Sequence, residues 1–168
     1  MKGVKRAFIG SGIRYDMFIG DADQTYLREV VTHHVSGRLK VAPEHTEDHV
    51  VKLMRKPPFE LYHKLQKSFQ DICRSEQLKY RLVPYFISSH PGCTERDMRK
   101  LADRTARMDM HLEQVQDFTP TPMTLSSVMY ATGMNPYTGE KLFVARNQDD
   151  KRRQKSYFFR PDKKRHGV

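Results

Sequence analysis

Apolar and polar positions along this chain follow two rhythms: short runs that suit strands, and stripes spaced by three and four that suit helices. The clearest run is Tyr85-Phe86-Ile87-Ser88-Ser89-His90-Pro91-Gly92-Cys93-Thr94-Glu95. It reads as a buried strand that leaves through a Pro-Gly turn and enters a capped helix. Thr94 with Asp97 three residues on has the form of a capping box. Met98, Leu101, Ala102, Thr105 and Met108 then supply the helix with an inner stripe.

The same phrase recurs before and after it. Val4 to Ile9 reads as a first strand, broken by Gly10-Ser11-Gly12. Asp21 and Asp23 offer caps for a helix whose apolar face is Tyr26, Leu27, Val30, Val31 and His34, with Gly37 at its end. Arg38 to Ala42 is a second strand, leaving through Pro43-Glu44-His45. Thr46 is placed to cap the next helix, with Glu47 and Asp48 in the first turn where carboxylates suit the dipole. Pro57-Pro58 stops that helix and starts another with Tyr62, Leu65, Phe69 and Ile72 on one face and Cys73 beside them as core packing. The third strand runs from about Tyr80 to Ser88 and the fourth from about His111 to Phe118. Glu113, Gln114, Gln116 and Asp117 make the fourth unusually polar for a parallel strand. A short helix near Thr124 to Ala131, turns at Asn135-Pro136 and Thr138-Gly139, and a charged helix near Asp149 to Phe158 complete the pattern.

Four β-loop-α units in succession predict an α/β fold with parallel strands. A closed eight-unit barrel takes roughly 250 residues, so four units predict either part of a barrel or a small open sheet. Opening on a strand with no helix before it points to a truncated chain or an excised domain.

Composition narrows the class. The chain has 168 residues, enough for one ordinary domain with a core. There is no run of about 18 apolar residues and no signal-peptide pattern. With only Cys73 and Cys93 present, and no disulfide framework, a soluble cytoplasmic protein is expected. Two cysteines also fall short of the three or four thiolates an iron–sulfur cluster takes. Of the net charge of +10, residues 151–168 hold eight Lys or Arg against one Asp, leaving only +3 for residues 1–150. That concentration reads either as a solvated tail or as a contact for nucleic acid.

Candidate chemistry gathers where the strands end, because ligands of parallel sheets and barrels bind at that edge. Arg14 and Ser11, in the loop after the first strand, suit a carboxylate. His33 and His34 are neighbours that point about 100° apart on a helix, which suits surface or core positions. His45 and His49, four apart with Glu47 between them, have the spacing of zinc ligands but no third partner at convincing spacing.

In order and spacing these blocks resemble the second half of the radical SAM core, a six-unit partial barrel. Lys40-Val41-Ala42-Pro43-Glu44-His45 resembles its fourth strand and polar loop. Val51 to Lys56 through Glu60-Leu61-Tyr62 resembles a helix signature of the methylthiotransferase-like branches. Ile87-Ser88-Ser89-His90-Pro91-Gly92-Cys93-Thr94 resembles the fifth-strand segment, and Val115 to Pro122 the sixth strand and its exit. The wording Ser-Gly-Ile-Arg-Tyr-Asp, Ala-Pro-Glu-His-Thr and Asp-Phe-Thr-Pro-Thr-Pro is most similar to the uncharacterised YgiQ-like group, as is Asn135 to Glu140 with the basic end. The family's Cys-x3-Cys-x2-Cys motif and its glycine-rich segment are absent from this chain. Ser89 stands where Gly is usual and Cys93 where Glu is usual.

Of the two forms that four units allow, the resemblance implies a partial (β/α) TIM-like barrel over residues 1–125, with 126–168 as a helical, basic extension. The same resemblance implies S-adenosylmethionine (SAM) and a [4Fe–4S] cluster as cofactors of the full-length protein, the cluster being beyond this chain alone. It implies Ser11 and Arg14 at the SAM carboxylate or ribose, Glu44 at the ribose hydroxyls, and Ile87, Ser88 and His90 beside adenine. Asp117 and Thr119 would face an unknown substrate. The missing half of the barrel would be the partner, and the chain alone would be inactive. Two other readings stand beside it: a nucleic-acid-binding module acting through residues 151–168, and a complete small α/β domain without catalysis.

Overall fold

The computed structural model describes residues 3–20, 24–110, 112 and 114–158. Asp21, Asp23, His111, Glu113 and residues 159–168 of the basic tail, all invoked above, lie outside the described residues. Three parallel strands, β1 (Arg38–Glu44), β2 (Arg81–Ser88) and β3 (Val115–Asp117), form one sheet in the order β1-β2-β3. Sequential parallel order requires a crossover after each strand. Helices α2 (Asp48–Leu53) and α3 (Glu60–Ser75) make the first, and α4 (Glu95–Arg107) the second. Helix α1 (Thr25–His34) precedes the sheet, while α5 (Leu125–Thr132) and α6 (Gln148–Ser156) follow it. The architecture is therefore α/β with βα units, with three strands rather than four among the described residues.

The difference lies at the first expected strand. Among the described residues Val4 to Ile9 is not a strand; only Ile13 pairs with the sheet, through a single parallel bridge to Val41. The Ile13 N–H donates to the Lys40 carbonyl at 3.0 Å and the Ala42 N–H to the Ile13 carbonyl at 3.2 Å. The segment before it runs beside the end of α1 instead: Ile9 N–H donates to the His34 carbonyl, and His34 Nδ1 bonds the Ala7 carbonyl. Lys5, Arg6 and the Gly-Ser-Gly break leave too short an apolar run to hold a ladder. Strand β3 is likewise only three residues long, as its polar content foreshadows.

Leu39 and Val41 of β1, Phe86 of β2 and Val115 of β3 join one core with Leu27, Val30 and Val31 of α1, the Tyr62-Leu65-Phe69-Ile72 stripe of α3, and Met98 and Leu101 of α4. The alternating positions behave differently. Lys40, Ala42, Tyr85 and Ile87 are half-buried and Gln116 is exposed, although Val83 on the same side is buried. The Lys40 ammonium lies 5.8 Å from the Tyr85 ring centre. A parallel sheet is ordinarily covered on both faces; here one face is only partly covered.

Two caps come out differently. Thr94 and Asp97 form the reciprocal capping box of α4. Thr46 does not cap α2: that helix starts at Asp48 after Glu47, and Thr46 is buried with its carbonyl accepting from Arg104.

Gly92 fixes the turn after β2. Its φ is +84°, and a Cβ there would lie 2.3 Å from Leu53 Cδ1. Its N–H donates to the Phe143 carbonyl at 2.8 Å, tying the C-terminal segment to this turn. Gly92→Ala is expected to cost about 2 kcal/mol from left-handed strain and overpacking, read as a lowered urea midpoint at unchanged m-value.

Candidate functional site

The carboxyl ends of the three strands carry Glu44, Ser88 with Ser89 and His90, and Asp117. Two of these residues, Glu44 (φ 65°) and Ser89 (φ 62°), adopt the left-handed region that favours glycine. Adjacent strands thus both leave the sheet through strained non-glycine positions, a feature that concentrates at ligand sites.

Ser88 and Asp117 meet where β2 and β3 end in register. The Ser88 hydroxyl donates to Asp117 Oδ1 at 2.7 Å, and Lys155 Nζ lies 2.7 Å from Oδ2. Both carboxylate oxygens are thereby engaged, one by the sheet and one by α6. Ser89 donates its N–H to Gln154 Oε1 at 2.7 Å, and Gln154 Nε2 donates to the Cys93 carbonyl at 3.0 Å. Gln154 is buried, and it clamps both sides of the β2–α4 turn. Directly within this clamp the Ser89 hydroxyl is buried with no hydrogen-bond partner.

His90 is buried and neutral by geometry. Its Nδ1–H donates to the Pro91 carbonyl and its Nε2 accepts from the Ser126 hydroxyl, both at 2.8 Å. Burial pushes its pKa down to about 4. The ring meets Phe118 edge-on at 5.1 Å. His45 lies on the other side of the turn. The Glu47 N–H donates to its Nδ1 at 3.0 Å, which leaves Nε2–H to face Cys93 Sγ at 3.5 Å. Burial pushes His45 down to about 3 and the Cys93 thiol up. A neutral thiol and a neutral imidazole shut away from solvent are a structural link, not an activated nucleophile.

Glu44 pairs with Lys56 at 3.2 Å. Burial holds its carboxyl above the usual range, against the pull of Lys56. His49, unlike His45, is exposed and sits 3.3 Å from Asp97; among the described residues no three His, Cys, Asp or Glu side chains gather as a metal site.

The strand ends therefore bring Ser88, His90 and Asp117 together, with Thr119 exposed just beyond and its hydroxyl 3.5 Å from the Asp117 carbonyl. Ile87 points to the half-covered sheet face. Ser11 and Arg14 lie in an exposed loop, the Arg14 guanidinium paired with Asp16 at 2.9 Å. Gln154, Lys155, Ser126 and Lys56 were not foreseen. Asp150, Gln154 and Tyr157, at spacings of four and three, mark the inward side of α6, but nothing local says that a glutamine there will be buried.

A family described as a domain of unknown function (DUF3362) matches residues 113–164, a span that holds Ser126, Gln154 and Lys155. A UPF0313 protein of Bacteroides thetaiotaomicron is 52% identical over 165 residues, covering 94% of this chain and 27% of the relative. One of Porphyromonas gingivalis is 49% identical over 164 residues, covering 93% and 26%. One of Methanocella arvoryzae is 47% identical over 150 residues, covering 89% and 25%. The chain spans about a quarter of the length of these curated relatives.

Proposed function

We propose that this chain is the positioning half of a radical SAM enzyme, part of a partial barrel completed by further polypeptide. The observation that carries the reading is the sheet itself. Its strands run parallel in chain order, one face is only partly covered, and polar, strained residues crowd its carboxyl edge. A sheet of this kind supports the reading because barrel staves also run parallel in chain order and bury their inner face against neighbours. Relatives about four times as long supply room for them.

The residues present do not fit a [4Fe–4S] cluster. Cys73 and Cys93 are both buried, and the Cys93 thiol is held neutral, so the cluster belongs to polypeptide outside this chain. They do fit one wall of a SAM site. The Glu44 carboxylate can accept from ribose hydroxyls, Ile87 offers a half-open apolar surface for adenine, and the unpartnered Ser89 hydroxyl leaves one polar valence at the same edge. A bound SAM would supply radical chemistry, with its electron coming from a cluster held outside this chain. This chain would bind, orient and exclude water. Arg14 would exchange its exposed Asp16 partner for the SAM carboxylate, at little cost because exposed pairs contribute little. Ser88 and His90 act behind the wall, holding β2 to β3 and to α5, while the Asp117–Lys155 pair with Thr119 faces substrate.

In the longer protein, Glu44→Ala is expected to weaken SAM binding at least tenfold by calorimetry, the scale of a lost charged hydrogen bond. Unchanged affinity in a folded variant would remove Glu44 from the site. The 168-residue chain treated with iron and sulfide is expected to stay colourless; a brown, SAM-cleaving preparation would contradict the assignment.

A further inference from the structure

We propose that the outer face of α4 is a phosphate-binding surface for a nucleic-acid strand. The inference stands on charge and shape and is independent of the radical SAM reading. Helix α4 buries Asp97, Met98, Leu101 and Thr105 and turns Arg96, Arg99, Lys100, Arg104 and Arg107 outward. Arg96, Lys100, Arg104 and Arg107 recur at spacings of four, four and three, which places them along one side of the helix. The stripe is about 16 Å long at 1.5 Å per residue.

Beside it lies a cleft of about 500 Å³ lined by Glu47, His63, Lys100, Arg104, Arg107 and Met108. Its cations are held in place. Lys100 is steadied by Glu47 at 2.9 Å; Arg104 donates to the Thr46 carbonyl at 3.2 Å and lies 4.7 Å over the buried Phe59 ring. Arg107 donates its Nε–H to the Asp103 carbonyl. Two acids pair with the stripe among the described residues, Glu47 with Lys100 and Glu60 with Arg104 at 3.8 Å, against its four cations, so positive charge remains in excess. Among the described residues Arg96 and Arg99 have no carboxylate partner. Helix α6 packs alongside, with Arg153 3.6 Å from Glu95.

A row of pre-positioned guanidinium groups suits a polymer of phosphates more than a single anion. A membrane surface fits less well. Interfacial helices insert an apolar face, and the apolar face of α4 is taken up by the core.

The test is fluorescence anisotropy of the chain with a labelled single-stranded RNA of mixed sequence, across potassium chloride concentrations. Triple reversal Arg96→Glu, Lys100→Glu and Arg107→Glu is compared with Lys64→Glu, Lys67→Glu and Arg74→Glu on α3, an equal change in net charge at exposed positions. Circular dichroism confirms that both variants fold. The α4 variant is expected to bind at least 30-fold more weakly, with the slope of log K against log salt reduced by about 2, as for three lost phosphate contacts. The α3 variant is expected to change less than threefold. Three results would overturn the proposal: no binding by the native chain, equal losses in the two variants, or binding to phosphatidylserine vesicles without binding to RNA.

Discussion

Lowering the pH from 7.5 to 4.5 is expected to destabilise the fold by about 5 kcal/mol through His45 and His90 alone. Both imidazoles are buried and neutral, and burial holds their pKa values at about 3 and about 4. The unfolded chain takes up protons at the ordinary value of 6.5, where the folded chain does not. Stability from these groups is therefore complete above that value and falls as the pH drops towards 4. Asp97 adds in the same direction: burial opposes its ionisation, but bonds from Thr94 and the charge of His49 prevail and hold its carboxyl low. Glu44 acts oppositely, since burial raises its pKa and protonation relieves that cost. A loss of this size is comparable to the whole stability of many domains. The check is urea unfolding across the pH range in native chain and His90→Gln, where the variant's pH-dependent loss should be about half as large. Equal losses would mean that His90 is not the buried, neutral group described.

Gln154→Ala should cost about 3 kcal/mol, the second large effect. The substitution strips a buried acceptor from the Ser89 N–H and a buried donor from the Cys93 carbonyl, and each abandoned group costs roughly 1–3 kcal/mol. Because α6 also reaches this edge through Lys155–Asp117 and through Tyr157 to Glu95, its detachment should extend to the turn after β2. Hydrogen exchange would show it as faster exchange at Ser89 and Cys93 together. Unchanged exchange there would mean that the C-terminal segment does not clamp the turn.

What the sequence made legible follows from how local each cause is. The Thr94–Asp97 capping box, the α3 stripe and the strand β2 depend on residues within a few positions of one another, and each is where the pattern places it. The first strand failed because a run of six residues with Lys5 and Arg6 gains more from lying along α1 than from a ladder. Thr46 lost its cap to burial against Arg104, a residue 58 positions away. The Gln154 clamp is longer in range still, at 65 positions from Ser89. Candidate site residues divide the same way: Ser88 and Asp117 share an edge because strand register brings them there, whereas Arg14 is placed by the single Ile13–Val41 bridge, which no periodicity foretells.

The reading of the chain as half of a SAM site meets its most direct test in the longer polypeptide that contains it, reconstituted anaerobically, reduced and supplied with SAM. Release of 5′-deoxyadenosine, reduced about tenfold at limiting SAM when Glu44 is replaced by Ala and absent from residues 1–168 alone, is the predicted result. A longer protein that neither binds nor cleaves SAM, with its fold intact, would contradict it.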